Sequence, residues 1–212
     1  GAYWHRDNFG MARYSPHDEK AGKKIWIWGL SPQGMIWEKL LTDTDGQYVE
    51  VQSGRMFNQA SPGSTFTPFK HTGFTPATTD NWIEHWFPVM NTGGFVKANE
   101  FGALNVRVRK GFLRIDLSGL ENMKETLRIL EGDRELYSKE IEIKPLTVFS
   151  DSIPFQSNAN SLTVTLGEHK MEYKTDPDDA VLSRPVDTPA NFEWNSAYGL
   201  YIQAKEDLHQ RF

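Results

Sequence analysis

Cysteine is absent from the 212-residue chain, which excludes disulfides, thiolate nucleophiles and cysteine-based zinc sites. The same absence leaves the compartment open, since periplasmic and cytosolic proteins alike lack it. No apolar run approaches membrane-spanning length. Basic excess is lacking as well. A net charge of -5 and a pI near 5.7 leave no electropositive footprint for nucleic acid and no polybasic patch for a membrane surface. There is no H-E-x-x-H pair, no G-x-S-x-G, no Walker loop and no dinucleotide fingerprint, so no cofactor and no metal is implied. An initiator methionine and a signal peptide are also missing. The opening Gly1-Ala2-Tyr3-Trp4 reads as a piece of something longer, with Gly1 a cloning remnant and any targeting signal lost in the cut.

Aromatic residues, in contrast, make up 13% of the chain, with 7 Trp and 13 Phe, in a sequence long enough to bury a core. Their plain reading is a β-rich core. The sharpest pattern is Tyr48-Val49-Glu50-Val51-Gln52-Ser53-Gly54, which alternates strictly. Side chains two apart share a face of a strand, so Val49 and Val51 are expected in a core and Tyr48, Glu50 and Gln52 on a polar, aromatic face. Ile25-Trp26-Ile27-Trp28 places Trp26 and Trp28 together, and Trp82-Ile83-Glu84-His85-Trp86-Phe87 does the same for Trp82, Glu84 and Trp86. Indoles stack on hexose rings, and carboxylates and amides bond sugar hydroxyls. The plain alternative is the wet face of an ordinary antiparallel sheet.

Along the first hundred residues, strands are expected near Gly10–Tyr14, Lys23–Leu30, Gln47–Gln52 and Asn81–Val89. Ser31-Pro32-Gln33-Gly34 and Asp45-Gly46 read as turns. Met35–Leu41 fits either a short helix or a strand. Asn58–Asp80 is rich in Ser, Thr, Pro and Gly and reads as a long loop. From Leu104 to Tyr173 aliphatic alternation takes over, and some seven strands at short spacing predict a small immunoglobulin-like β-sandwich. An acidic, proline-containing linker follows Asp176. Trp194, Ala197, Tyr198, Tyr201, Ile202 and Leu208 then recur at helical spacing, with Asn191 or Asn195 as the N-cap.

Asp43-Thr44-Asp45-Gly46 hints at a calcium loop but lacks its third acidic ligand and closing Glu, so a turn explains it better. Among the histidines, His85 falls on the Ile83 and Phe87 face as buried structure, while His71 sits in the long loop.

The block Gly22-Lys23-Lys24-Ile25-Trp26-Ile27-Trp28-Gly29, with Trp37, Leu41 to Arg55 and Phe57-Asn58-Gln59, resembles the DUF5107 family, and Trp82-x-Glu84-x-Trp86-Phe87-Pro88-Val89 continues the likeness. The resemblance implies a relation to galactose mutarotase (aldose 1-epimerase), a large β-supersandwich, and tetratricopeptide repeats following the domain. Mutarotase-like enzymes carry a Glu-Pro-x-x-Gly pattern, and Glu50-Val51-Gln52-Ser53-Gly54 keeps its Glu and Gly with Val51 in place of Pro. The resemblance thus makes Glu50 the general base for opening a sugar ring. Its acid histidine, and the first half of the sandwich, would then precede this sequence.

These readings predict an all-β chain. Residues 1–98 would form the C-terminal part of a mutarotase-like supersandwich, 99–175 a small β-sandwich, and 176–212 a linker and amphipathic helix. The expected function is carbohydrate recognition, with aldose 1-epimerase chemistry reserved for a longer protein. Glu50 is the catalytic candidate; Trp26, Trp28, Tyr48, Gln52, Arg55, Trp82, Glu84 and Trp86 are the sugar-binding candidates. The alternative is a structural β-scaffold carrying a helical-repeat protein-interaction array.

Overall fold

The computed structural model describes residues 1–16, 22–27, 29–42, 46–54, 76–77, 79–156, 161–176, 191, 193–201 and 204. Its elements run β1 (Ala2–Trp4), β2 (Phe9–Tyr14), β3 (Lys24–Ile27), α1 (Pro32–Leu41), β4 (Val49–Gln52), β5 (His85–Met90), β6 (Lys97–Asn99), β7 (Gly102–Arg109), β8 (Phe112–Gly119), β9 (Met123–Glu131), β10 (Arg134–Ile143), β11 (Val148–Pro154), β12 (Leu162–Leu166) and β13 (Met171–Lys174). The all-β class holds, and every strand pair is antiparallel. Two compact units divide the chain: Gly1–Ser15 with Glu84–Arg184, and Pro16–Ile83 with Pro185–Phe212.

The first unit is built on a β-sandwich. One sheet has the order β11-β8-β7-β6 and the other β10-β9-β12-β13. Alternation along β8 sends Leu113, Ile115 and Leu117 inward, where they meet Leu127, Ile129, Ile143, Leu162 and Val164 of the opposite sheet. Lys110 and Gly111 both have positive φ, at 52° and 79°, and form the two-residue turn that matches strand twist between β7 and β8. The strands read between Leu104 and Tyr173 are all present, and no helix interrupts the described residues there. The four-and-four division of strands differs from the three-and-four split of an immunoglobulin constant domain.

A third sheet, ordered β1-β2-β5, belongs to the same unit. It buries Ala12, Phe87 and Val89 against Ala103 of β7 and turns Phe9, Met11, Arg13, Trp86, Pro88 and Met90 outward. Pro88 cannot donate to a ladder, and its strand lies at the edge of this sheet, where that costs least. On the outward side of β7 and β8, Asp116 is fully buried. Arg107 Nη2 donates to it at 2.7 Å, Arg114 Nη2 at 3.0 Å and Ser150 Oγ at 2.6 Å.

The second unit contains α1 and the two-stranded sheet β3-β4. Ser31-Pro32-Gln33-Gly34, expected as a turn, instead starts α1. Ser31 Oγ caps the helix by accepting from Gly34 N at 3.1 Å, and Pro32 occupies the first turn, where its missing N–H costs nothing. Gly34 is required there, because a Cβ would overlap the carbonyl oxygen of Gly29. Residues 197–201 are helical, as the spacing of Trp194, Ala197, Tyr198 and Tyr201 predicts. The cap is Ser196, not Asn191 or Asn195: its Oγ accepts from Gly199 N at 3.0 Å. Ile202 and Leu208 lie outside the described residues, as do 177–190 of the expected linker.

Candidate functional site

β3 and β4 pair so that Trp26 lies opposite Glu50, Lys24 opposite Gln52, Ile25 opposite Val51 and Ile27 opposite Val49. Directly opposed residues share a face, so one face of this ribbon carries Lys24, Trp26, Glu50 and Gln52. Gln52 Nε2 donates to Glu50 Oε2 at 2.5 Å, fixing the carboxylate beside the amide. Tyr48, just before β4, is also a hydrogen-bond partner of Glu50. Desolvation, then the charge of Glu50 and that hydrogen bond, push its phenol up from the ordinary value. Trp26 is 42% exposed, leaving indole surface open next to the carboxylate.

The face grouping of Tyr48, Glu50 and Gln52 thus matches the alternation. The burial expected of the other face does not. Val49 is 48% exposed and Ile25 and Ile27 are 65% and 58% exposed, while Val51 is half-buried. A two-stranded ribbon has no second layer of its own, so alternation sorts its side chains into two faces without fully burying either.

The remaining candidates divide. Trp82 lies in the second unit, in the non-strand residues before β5, and is exposed. Glu84 and Trp86 lie in the first unit. The expected strand across 81–89 begins only at His85, because its partner β2 ends at Tyr14 and Pro16 follows, unable to extend the ladder. His85 is half-buried, with its ring 6.0 Å from that of Tyr14. Glu84 receives a two-pronged hydrogen bond from Arg13, Nε at 3.2 Å and Nη2 at 2.9 Å, and a third from Trp86 Nε1 at 2.9 Å. Trp28 and Arg55 lie outside the described residues, as do His71 and the Asp43-Thr44-Asp45 turn.

Lys24 and Arg13 are the residues that sequence reading passed over. Lys24 was legible once a register is assumed, since it sits two before Trp26. Arg13 pairs with Glu84 across 71 residues and left no local signal. Among the described residues no three metal-ligating side chains converge, and no helix is long and apolar enough to cross a membrane.

Chemically, the ribbon face offers a hydrogen-bonded carboxylate, an amide, a phenol and an ammonium beside an indole. These groups can accept and donate to neighbouring hydroxyls while the ring covers an apolar surface.

Residues 1–89 match the family model DUF5107, described as a domain of unknown function. The match takes in β1 to β4, α1 and all of β5 but Met90, including the ribbon and the Glu84–Trp86 segment. No solved structure matches the chain.

Proposed function

We propose that this chain is a carbohydrate-recognising, mutarotase-like β-domain that binds sugar on the Lys24–Trp26–Glu50–Gln52 face of the ribbon. The observation that carries the reading is the register opposing Trp26 to Glu50. It sets a half-exposed indole next to a carboxylate already oriented by Gln52. The indole stacks on a pyranose face, Glu50 and Gln52 take its hydroxyls, and Tyr48 closes one side. Glu50 is also the residue that would remove an anomeric proton in epimerase chemistry. A glycan array on the chain, followed by calorimetry and polarimetry on any sugar that binds, tests both levels. Binding lost in Trp26→Ala and Glu50→Gln supports the site, and mutarotation lost in Glu50→Gln adds catalysis. Sugar binding indifferent to both substitutions removes the site.

A structural scaffold for a helical-repeat array is the second reading. It is favoured by Tyr198, Leu200 and Tyr201, all exposed on the terminal helix. An apolar helix surface of this kind seeks a neighbouring helix. Sedimentation of the chain with Leu200→Glu and Tyr201→Glu tests it: self-association that these changes abolish supports the scaffold, and monomeric behaviour throughout counts against it.

A further inference from the structure

The chain is acidic overall, with a net charge of -5, but one hairpin runs against that balance. Across β7, its turn and β8, the only acidic residue is Asp116, while Arg107, Arg109, Lys110 and Arg114 are cationic. Register gathers these cations. Arg107 lies directly opposite Arg114, and Arg109 opposite Phe112. Opposed Cα atoms are about 5 Å apart, and Arg109 follows Arg107 by about 7 Å along the strand. Three arginines and Phe112 thus share one small area of the outward sheet face, with Lys110 at its edge.

Like charges opposed across a ladder destabilise a sheet. Asp116, fully buried in the next row, relieves only part of this repulsion. Arg114 grips it side-on through Nε at 3.0 Å and Nη2 at 3.0 Å, which leaves the Nη1–Nη2 fork open. Arg107 gives Asp116 its Nη2. Its Nη1 reaches the Gly93 carbonyl oxygen only at 3.5 Å, and its buried Nε has no acceptor. The side chains of Arg107 and Arg114 are 40% and 54% exposed. Arg109 and Lys110 are exposed, and their side chains have no ion-pair partner among the described residues. On this side β11 presents Ser150 and Ser152, and it turns Asp151 away toward Tyr137 and Lys139. Four cations against one carboxylate leave the hairpin with an excess of positive charge in an acidic protein. Phe112, half-exposed between Arg109 and Pro154, adds apolar surface beside the charges.

We propose that this face binds a phosphate monoester, its dianionic head held by Arg107, Arg109 and Arg114 and its organic group resting on Phe112. Guanidinium forks match phosphate oxygens, and three of them here converge within the reach of one such group. A polymeric anion needs cations spread along its length, and the chain's negative charge repels the rest of the polymer. The inference stands apart from the ribbon reading, since it uses different residues on a different unit, and either can fail alone. Titration of the whole chain with phenyl phosphate and with inorganic phosphate, followed by NMR of the arginine Nε–H groups, tests it. Phenyl phosphate should shift Arg107, Arg109 and Arg114 together and saturably, and bind about tenfold more tightly than inorganic phosphate. Arg109→Gln should weaken phenyl phosphate roughly tenfold with the urea midpoint unchanged, because Arg109 is exposed and unpaired. Phe112→Ala should remove the advantage of the ester over the free ion. No saturable shift with either probe overturns the proposal. Equal shifts at Arg128 and Arg134 mean an adventitious ion only and overturn it too. Equal affinity for the two phosphates in the unaltered chain overturns the ester assignment. Tighter binding of a single-stranded oligonucleotide than of phenyl phosphate makes the face a polyanion surface and overturns it as well.

Discussion

Asp116 has no exposed surface, and burial alone would push its carboxyl up. Hydrogen bonds from Arg114, Ser150 and Arg107 outweigh burial and hold it below the ordinary carboxylate value. The stabilisation is therefore complete above the ordinary carboxylate range and is lost as pH falls through the lowered folded value. Asp116→Ala should cost about 2–3 kcal/mol at neutral pH in urea unfolding, less than for a fully buried pair because both arginines keep contact with water. The deficit relative to the unaltered chain should shrink in acid. Gly34 poses the opposite test. Alanine is the better helix former by about 1 kcal/mol, yet its Cβ would overlap the Gly29 carbonyl. Gly34→Ala should lower the melting temperature, with a net loss of about 1–3 kcal/mol from overpacking. Neither residue announces itself in the sequence, because each depends on atoms brought to it by tertiary structure.

At the scale of elements, β10 and β11 are joined across the sandwich edge by side chains. Tyr137 Oη donates to Asp151 Oδ2 at 2.7 Å and Lys139 Nζ at 2.8 Å. The Lys139 hydrogen bond, then that of Tyr137, holds the Asp151 carboxyl down to about 2 from 3.8. Its contribution is present above the ordinary value and disappears as pH falls from about 4 to about 2. Asp151→Asn should cost about 1 kcal/mol at pH 7 by thermal unfolding, and nothing below the folded value. The strands themselves were legible because β8, β9 and β12 each bury one face, and period-two patterning records that directly. The same patterning grouped Tyr48, Glu50 and Gln52 correctly, yet it named Val49 as core. Alternation states which side chains travel together; only a covering layer decides which set is buried. α1 was half hidden, since Ser-Pro-x-Gly signals a turn and a helix start equally well until the hydrogen bond from Gly34 N to Ser31 Oγ is seen.

Across the whole molecule, burial is uneven. The sandwich holds most of the large fully buried side chains, among them Leu113, Ile115, Leu127 and Ile129, whereas β3, α1 and β4 expose Ile25, Ile27, Ile36, Leu40 and Val49. Local opening follows burial and neighbouring contacts. Amides of β8, β9 and β12 should exchange with deuterium last, and those of β3 and β4 first, by orders of magnitude in rate. Equal protection of ribbon and sandwich would show the ribbon to be covered in solution. The all-β class and the sandwich were readable from composition and period. The carboxylate–indole pairing in the ribbon needed a register, and the division into units needed contacts between distant segments.

The pairing of β2 with β5 has a consequence for how the chain is made. Arg13 must wait for Glu84, which follows 71 residues later. At about 5–20 residues per second, translation leaves β1 and β2 outside the ribosome for several seconds before their partner strand exists. During that time Phe9, Met11 and Ala12 have no β5 to pair with, and the whole second unit's first segment emerges in between. Nascent chains halted just before His85 should therefore bind a holding chaperone at β2, and chains halted well past Met90 should release it.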